Sequence, residues 1–419
     1  MIGGLMKTTS RFALATAAVG LMASGAMAAD LGGNCCADLE ERVAELEATT
    51  ARKGNRKVSL TVYGQVNKAV MWHDSEEPDA YRSEELSVYD NQAATTRFGF
   101  RGSAKIRPDL EVGYNLEVGL NENKGTSSND TNSALNIRHS YFYIDDTRLG
   151  RLSVGQTSQV TDGLFGINLG NTIVTQLGTD QDGYLGKAYE NTFGDVYDGA
   201  RRQGIYYRSP TVAGFVLGAG YSHGTRGYTA TAPHNDPEFW NDDSSDYWEV
   251  ALRYAAEFNG VRVAAGIGYR GEETSAGADV DTWLGSGSMM HVPTGLFLSG
   301  GYGDIDADTA TSSQKGWWLI AGVQRNFFGA GNTTLYGEYG DVNFKEETFG
   351  ADPWDDKADG NYWGLGVVQT VDAAAMDLYL QFRQYSLDGG TYTDSETSET
   401  VDVSGRDTNV IKAGAIIRF

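Results

Sequence analysis

The sequence predicts an all-β chain: a sixteen-stranded antiparallel transmembrane β-barrel preceded by a short helical, coiled-coil-like segment. Three observations predict it. From residue 57 onward, apolar and polar residues alternate with a period of two, in runs often ten or more residues long. The connectors between those runs alternate between short turns and longer, acidic loops rich in Gly, Ser and Asn. Past the N-terminus, no stretch of about 18 residues is continuously apolar and free of charge, which excludes a helical membrane bundle.

The N-terminus carries an address. Met6-Lys7-Thr8-Thr9-Ser10-Arg11 is a short basic region, Phe12 to Met22 is apolar, and Ala26-Met27-Ala28 is a small-x-small cleavage pattern. Residues 1–28 therefore read as a secretory signal peptide. Residues 29–56 read as a periplasmic helical segment and linker, because Leu39, Val43 and Leu46 are spaced four then three, as in a heptad seam. Two heptads do not hold an isolated helix in water. The segment either associates with copies of itself or another surface, or it frays. Cys35 and Cys36 are the only two cysteines, and adjacent cysteines pair poorly with each other. Two free or buried thiols, or an interchain bond, are both open.

Residues 57–419 form the predicted barrel. Val58, Leu60, Val62, Gly64 and Val66 alternate with Ser59, Thr61, Tyr63, Gln65 and Asn67. Leu110 to Leu120, Met376 to Phe382 and Ile411 to Phe419 repeat the pattern. Strands of roughly 9–11 residues are what a tilted crossing of a bilayer requires. The runs place strands near 57–72, 93–106, 109–121, 134–146, 149–158, 201–209, 212–222, 246–257, 260–272, 279–291, 294–303, 314–327, 332–343, 358–370, 374–388 and 407–419. In lipid every backbone N–H and C=O must be paired within the protein, and strands manage this only by closing on themselves. Short turns at one end and long loops at the other mark a barrel of the outer-membrane type.

Composition narrows the function. With 33 basic against 56 acidic residues, net charge -23, there is no basic footprint for nucleic acid. The 54 Gly and 23 Tyr fit strands and tight turns. Enzyme signals fail in context. Gly266-Ile267-Gly268-Tyr269-Arg270-Gly271 matches a dinucleotide pattern but lies inside a strand and opens no helix. His73, His139, His223, His234 and His291 show no metal spacing. His139 and Ser140 point to opposite faces of a strand, so they form no nucleophile–base pair. No catalytic residue, cofactor or metal site is expected, apart from weak Ca²⁺ binding by loop acids such as Asp304, Asp306 and Asp308.

Several motifs now carry a family resemblance. They are Val62-Tyr63-Gly64-Gln65-Val66, Thr96-Arg97-Phe98-Gly99-Phe100-Arg101-Gly102, Arg138-His139-Ser140-Tyr141, Leu149-Gly150-Arg151-Leu152-Ser153-Val154-Gly155-Gln156, Ile205-Tyr206-Tyr207-Arg208-Ser209-Pro210 and the terminal Phe419. Together they resemble the general trimeric porins of Gram-negative bacteria, most closely those of alphaproteobacteria. The resemblance implies an outer-membrane homotrimer for passive diffusion of small hydrophilic solutes, embedded among lipid and lipopolysaccharide. It implies that Phe419 belongs to a signal read by the barrel-assembly machinery. It also implies a third loop, here 159–200, folded into the barrel, with acids facing a ladder of wall arginines. Asp162, Asp180, Asp182, Glu190, Asp195 and Asp198 are the loop acids, and Arg97, Arg138 and Arg208 match the wall motifs.

Strand parity adds Arg101 to the face of Arg97, and Arg202 to that of Arg208. Phe98 and Phe100 flank Arg97 and Arg101 and must face lipid, where Arg costs about 2–4 kcal/mol at the midplane, so Arg97 and Arg101 face the lumen. If Gln65, Asn67 and Arg138 face inward, Lys68 and His139 face outward, which predicts a subunit interface on strands 1–5. Trp72, Tyr114, Trp248, Tyr254, Tyr269, Trp317, Trp318 and Tyr362 are candidates for interfacial aromatic girdles. The acidic balance predicts cation preference. Two other functions fit the same strands: a substrate-specific channel, and a barrel that tethers the envelope.

Overall fold

The computed structural model describes residues 57–75, 84–120, 135–172, 193, 198–225, 244–273, 279–307, 312–346, 357–393, 400–402 and 404–419. The signal-like segment, the 39–46 seam and both cysteines lie outside them, as do Asp180, Asp182, Glu190 and Asp195.

The strands are β1 (Thr61–Ser75), β2 (Glu84–Asp90), β3 (Arg97–Arg107), β4 (Leu110–Leu120), β5 (Leu135–Asp146), β6 (Gly150–Ser158), β7 (Arg201–Arg208), β8 (Phe215–Thr225) and β9 (Ser244–Phe258). They continue with β10 (Val261–Glu273), β11 (Asp279–His291), β12 (Leu296–Ala307), β13 (Ser312–Arg325), β14 (Thr333–Glu346), β15 (Lys357–Val371), β16 (Met376–Thr393), β17 (Thr400–Asp402) and β18 (Arg406–Arg418). All pairings are antiparallel and join the strands into one sheet. β2 and β3 both pair with β1, and β17 and β18 both pair with β16, so eighteen segments fill sixteen lanes.

The sheet closes on itself. β1 pairs with β18 from Gln65↔Arg418 to Ser75↔Thr408. At the seam the Gly64 N–H donates to the Phe419 carbonyl (2.9 Å), and the Phe419 N–H donates back to Gly64 (3.1 Å). A sheet closed on itself is the condition for crossing lipid with strands. Turn chemistry fits the short connectors. Asn259 (φ 49°) and Gly260 (φ 78°) supply the two left-handed positions that a two-residue hairpin needs.

Alternation separates two environments. On β16, Leu378 and Leu380 are exposed on the outer wall, while Tyr379, Gln381 and Arg383 are buried inside. The outer wall carries an aromatic row: Trp248 and Tyr269 rings lie 4.8 Å apart, Tyr269 and Trp283 4.8 Å, and Trp317 and Tyr339 5.5 Å. Trp318 and Tyr362 are corrections to the predicted girdle: both are buried on the inner wall, because they sit one position out of phase with Trp317 and Trp363.

Two local features defeat simple parity. The lane predicted at 93–106 breaks at 91–96, with a 3-10 turn at Gln92–Ala94, and its first half is the unpredicted β2. On β5, Glu117 pairs with His139 while Val118 pairs with Ile137, so Arg138 is an extra residue in a β-bulge. The bulge places Arg138 and His139 on the same side. His139 is therefore corrected from the outer wall to the lumen, where it is 5% exposed and its Nδ1 lies 3.2 Å from the Thr157 hydroxyl.

Candidate functional site

After β6 the chain turns into the barrel instead of away from it. Residues 159–172 lie along the inner wall and are held there strand by strand. Glu249 on β9 accepts the N–H groups of Val160 (2.8 Å) and Thr161 (2.9 Å) and the Thr161 hydroxyl (2.6 Å). Arg253, also on β9, donates to the carbonyls of Val160 (3.2 Å) and Asp162 (2.6 Å). Ser286 on β11 accepts the Ile167 N–H (2.9 Å), Ser288 accepts that of Leu169 (3.0 Å), and the Trp318 indole on β13 donates to the Phe165 carbonyl (2.9 Å). Gln324 and Thr334 finish the run at the Gly170 carbonyl.

Glycines make room for this segment. A Cβ at Gly268 would stand 2.6 Å from Leu164 and 3.0 Å from Thr161, and one at Gly218 would stand 3.0 Å from Val160. The Gly266–Gly268 pattern on β10 thus clears a bed for Leu164. The return of the loop is pinned as well. Arg270 donates to the Asp198 carbonyl (3.0 Å), the Asp198 carboxylate accepts the Phe165 N–H (2.8 Å), and the Phe193 ring lies 4.9 Å from Tyr385.

The opposite arc, β3 to β7, is basic. Arg97 pairs in register with Gln65 on the inner face of β1, and its Nε is 3.8 Å from Glu117. Arg138 donates to the same carboxylate at 2.7 Å, and Tyr63 donates to it at 2.9 Å. Arg101 lies over the Tyr63 ring (5.0 Å) and Arg202 over Tyr247 (3.7 Å). Arg208 shares the inner face with Arg151, its register partner. The Nε atoms of Arg201 and Arg202 are buried without a hydrogen-bond partner. Asp162, on the inward segment, interacts electrostatically with His139, Arg201, Arg208 and Arg253. All five wall arginines singled out from the sequence thus share one inner arc. Parity assigned no role to Arg201, Glu117, Glu249, Arg253 or Arg270. For the last four the visible signal was charge on the inward phase of a strand; Arg201 opens β7 one position out of phase with Arg202.

A family model for Gram-negative porins matches residues 15–405. The chain belongs to the Gram-negative porin family. No curated protein sequence matches it. Among solved structures, the porin resembles an anion-selective porin from Comamonas acidovorans at TM-score 0.57 and 16% identity, over 86% of this chain and 100% of that one. The outer membrane protein OmpT of Vibrio cholerae follows at 0.52 and 14%, over 88% and 99%; another structure of that protein is of a trimer form. The outer membrane channel DcaP of Acinetobacter baumannii matches at 0.52 and 11%, over 86% and 99%. At these identities the structures share the fold of this porin. Family and fold make it an outer-membrane channel protein, and on its inner wall Asp162 lies within electrostatic reach of Arg201 and Arg208.

Proposed function

We propose that this porin is a general diffusion channel for small hydrophilic solutes and ions, working as a homotrimer. The observation that carries the reading is the loop at 159–172, laid on β8 to β15 and facing the arginines of β3 to β7, in an otherwise wide barrel. Such an arrangement narrows the passage without building a pocket, and a field across a narrow aqueous pore orients dipolar solutes. The outer wall of β1 to β6 supports the trimer: Val62, Val66, Phe100, Leu116, Phe142 and Leu152 are exposed on it, and Lys68 follows Val66 on the same face of β1. His139 takes no part in that interface. Phe419, exposed beside the seam, supports a role in recognition by the assembly machinery.

Liposomes carrying the protein are expected to swell in sugars at rates that fall smoothly with sugar size. Saturable uptake of one sugar alone would favour a substrate-specific channel instead. Cation preference follows from the net charge of -23 and the acids of 159–200, and it weakens as salt screens the lumen. Anion preference is the second reading, favoured by the buried Nε atoms of Arg201 and Arg202 that lack partners. The sign of the reversal potential in a potassium chloride gradient decides between them.

A further inference from the structure

The second lane of the barrel contains four residues more than its neighbour can pair. Lys68 pairs with Asp90 and Gln65 pairs with Arg97, so Asn91–Thr96 stand opposite only Val66 and Asn67. The surplus forms the 3-10 turn Gln92–Ala94 and Thr95. It lies on the inner side, because inward-facing groups hold it. Gln65 Nε2 donates to the carbonyls of Ala94 and Thr95, both at 2.8 Å, and Asn67 Nδ2 donates to Ala94 at 3.0 Å. Across the seam, the buried Tyr379 hydroxyl of β16 accepts from Asn91 Nδ2 (2.9 Å) and donates to Asn67 Oδ1 (2.8 Å).

Side chains close the gap that the turn leaves in the ladder. Thr96 Oγ1 accepts the Asn67 N–H at 3.0 Å, where a strand carbonyl would otherwise stand. Asp90, 4% exposed, accepts the Thr96 N–H at 3.0 Å and also its hydroxyl. Lys68 Nζ, on the outer wall, sits 3.2 Å from Asp90 Oδ1. A buried carboxylate is tolerated only when it is paired and hydrogen-bonded, and all three contacts supply that here.

We propose that the turn at 92–95 is a second constriction element of the pore, held in place by a clasp of Lys68, Asp90 and Thr96. The proposal rests on the channel reading. The loop at 159–172 is held by β8 to β15 and the turn by β1 and β16, so the two bound the lumen on different arcs, with the arginines of β3 to β7 between them. The turn presents Ala93, Ala94 and Thr95 and brings no charge. It limits the size of the passage and leaves ion selectivity to the other two arcs.

The experiment is single-channel recording on the full-length protein. Deleting Gln92–Thr95 brings Asn91 opposite Asn67 and Thr96 opposite Val66, which restores an ordinary ladder. The deletion is expected to raise conductance, on the order of 1.5-fold, with the reversal potential unchanged. Ala93→Trp keeps the full length and is expected to lower conductance. Thr96→Val opens the clasp without touching the outer-wall charge; it is expected to add open-channel noise in the wild type and none in the deletion. Wild-type conductance in both the deletion and Ala93→Trp overturns the proposal. So does a deletion that shifts the reversal potential along with conductance. A wild-type protein with no channel steps would overturn the channel reading itself, and the proposal with it.

Discussion

Glu249→Ala is expected to raise the mean conductance on the order of twofold and to make the open channel noisy, with the barrel still folded. Glu249 is 2% exposed, and its two oxygens take the N–H of Val160, the N–H of Thr161 and the Thr161 hydroxyl. Hydrogen bonds to a charged group contribute about 1.5–3 kcal/mol each, so this one carboxylate is the main anchor at the root of the inward loop. Removing it also strands two buried backbone donors, which then seek water by moving into the lumen. Arg253 still donates to the Val160 and Asp162 carbonyls, and Ser286, Ser288, Trp318, Gln324 and Thr334 hold the rest, so the loop loosens at its root without leaving the wall. Glu249→Gln keeps the volume but turns one acceptor into a donor, and it should fall between wild type and Ala. A Glu249→Ala channel with wild-type conductance and noise would show that the loop is positioned without its root.

Glu338→Ala is expected to cost about 3–5 kcal/mol of stability, because it leaves a buried guanidinium without its counter-charge. Arg383 is 1% exposed; its Nε lies 3.0 Å from Glu338 Oε1 and its Nη2 2.9 Å from Oε2. Gln381 donates to the same carboxylate at 2.7 Å, and Arg383 Nη1 donates to the Tyr385 hydroxyl at 2.9 Å. Tyr385 and Tyr362 in turn form the bed for the Phe193 ring. The readout is the denaturant midpoint of the folded barrel in detergent, followed as the loss of the compact band on a gel. Glu338→Met/Arg383→Met should lose much less than the single change, since removing both charges removes the desolvation cost as well. A single variant as stable as wild type would mean that water reaches Arg383 inside the barrel.

Much of this architecture was legible because lipid imposes a simple rule on each strand. Leu378 and Leu380 must face out and Tyr379 and Gln381 in, and the period of two records that directly. Arg97 and Arg101 were legible for the same reason, since Phe98 and Phe100, which lie between them on the opposite phase, leave them only one tolerable side. What the period does not carry is the insertion of a residue. The bulge at Arg138 reverses the phase for His139, and the four surplus residues at 92–95 hide β2 from a count of alternating runs. The bed of the inward loop was illegible for a different reason. Glu249, Arg253, Ser286 and Ser288 read as ordinary lumen residues, and only contacts with Val160–Leu169, nearly a hundred positions or more away in sequence, give them their work.

Conductance of the wild-type protein in a planar lipid bilayer tests the central claim most directly, because it asks whether the closed sheet encloses continuous water. Discrete, ohmic steps that scale with bulk salt conductivity are the expected result. Insertion of folded protein with no current steps would contradict it, and would leave the barrel as a scaffold in the membrane without a passage.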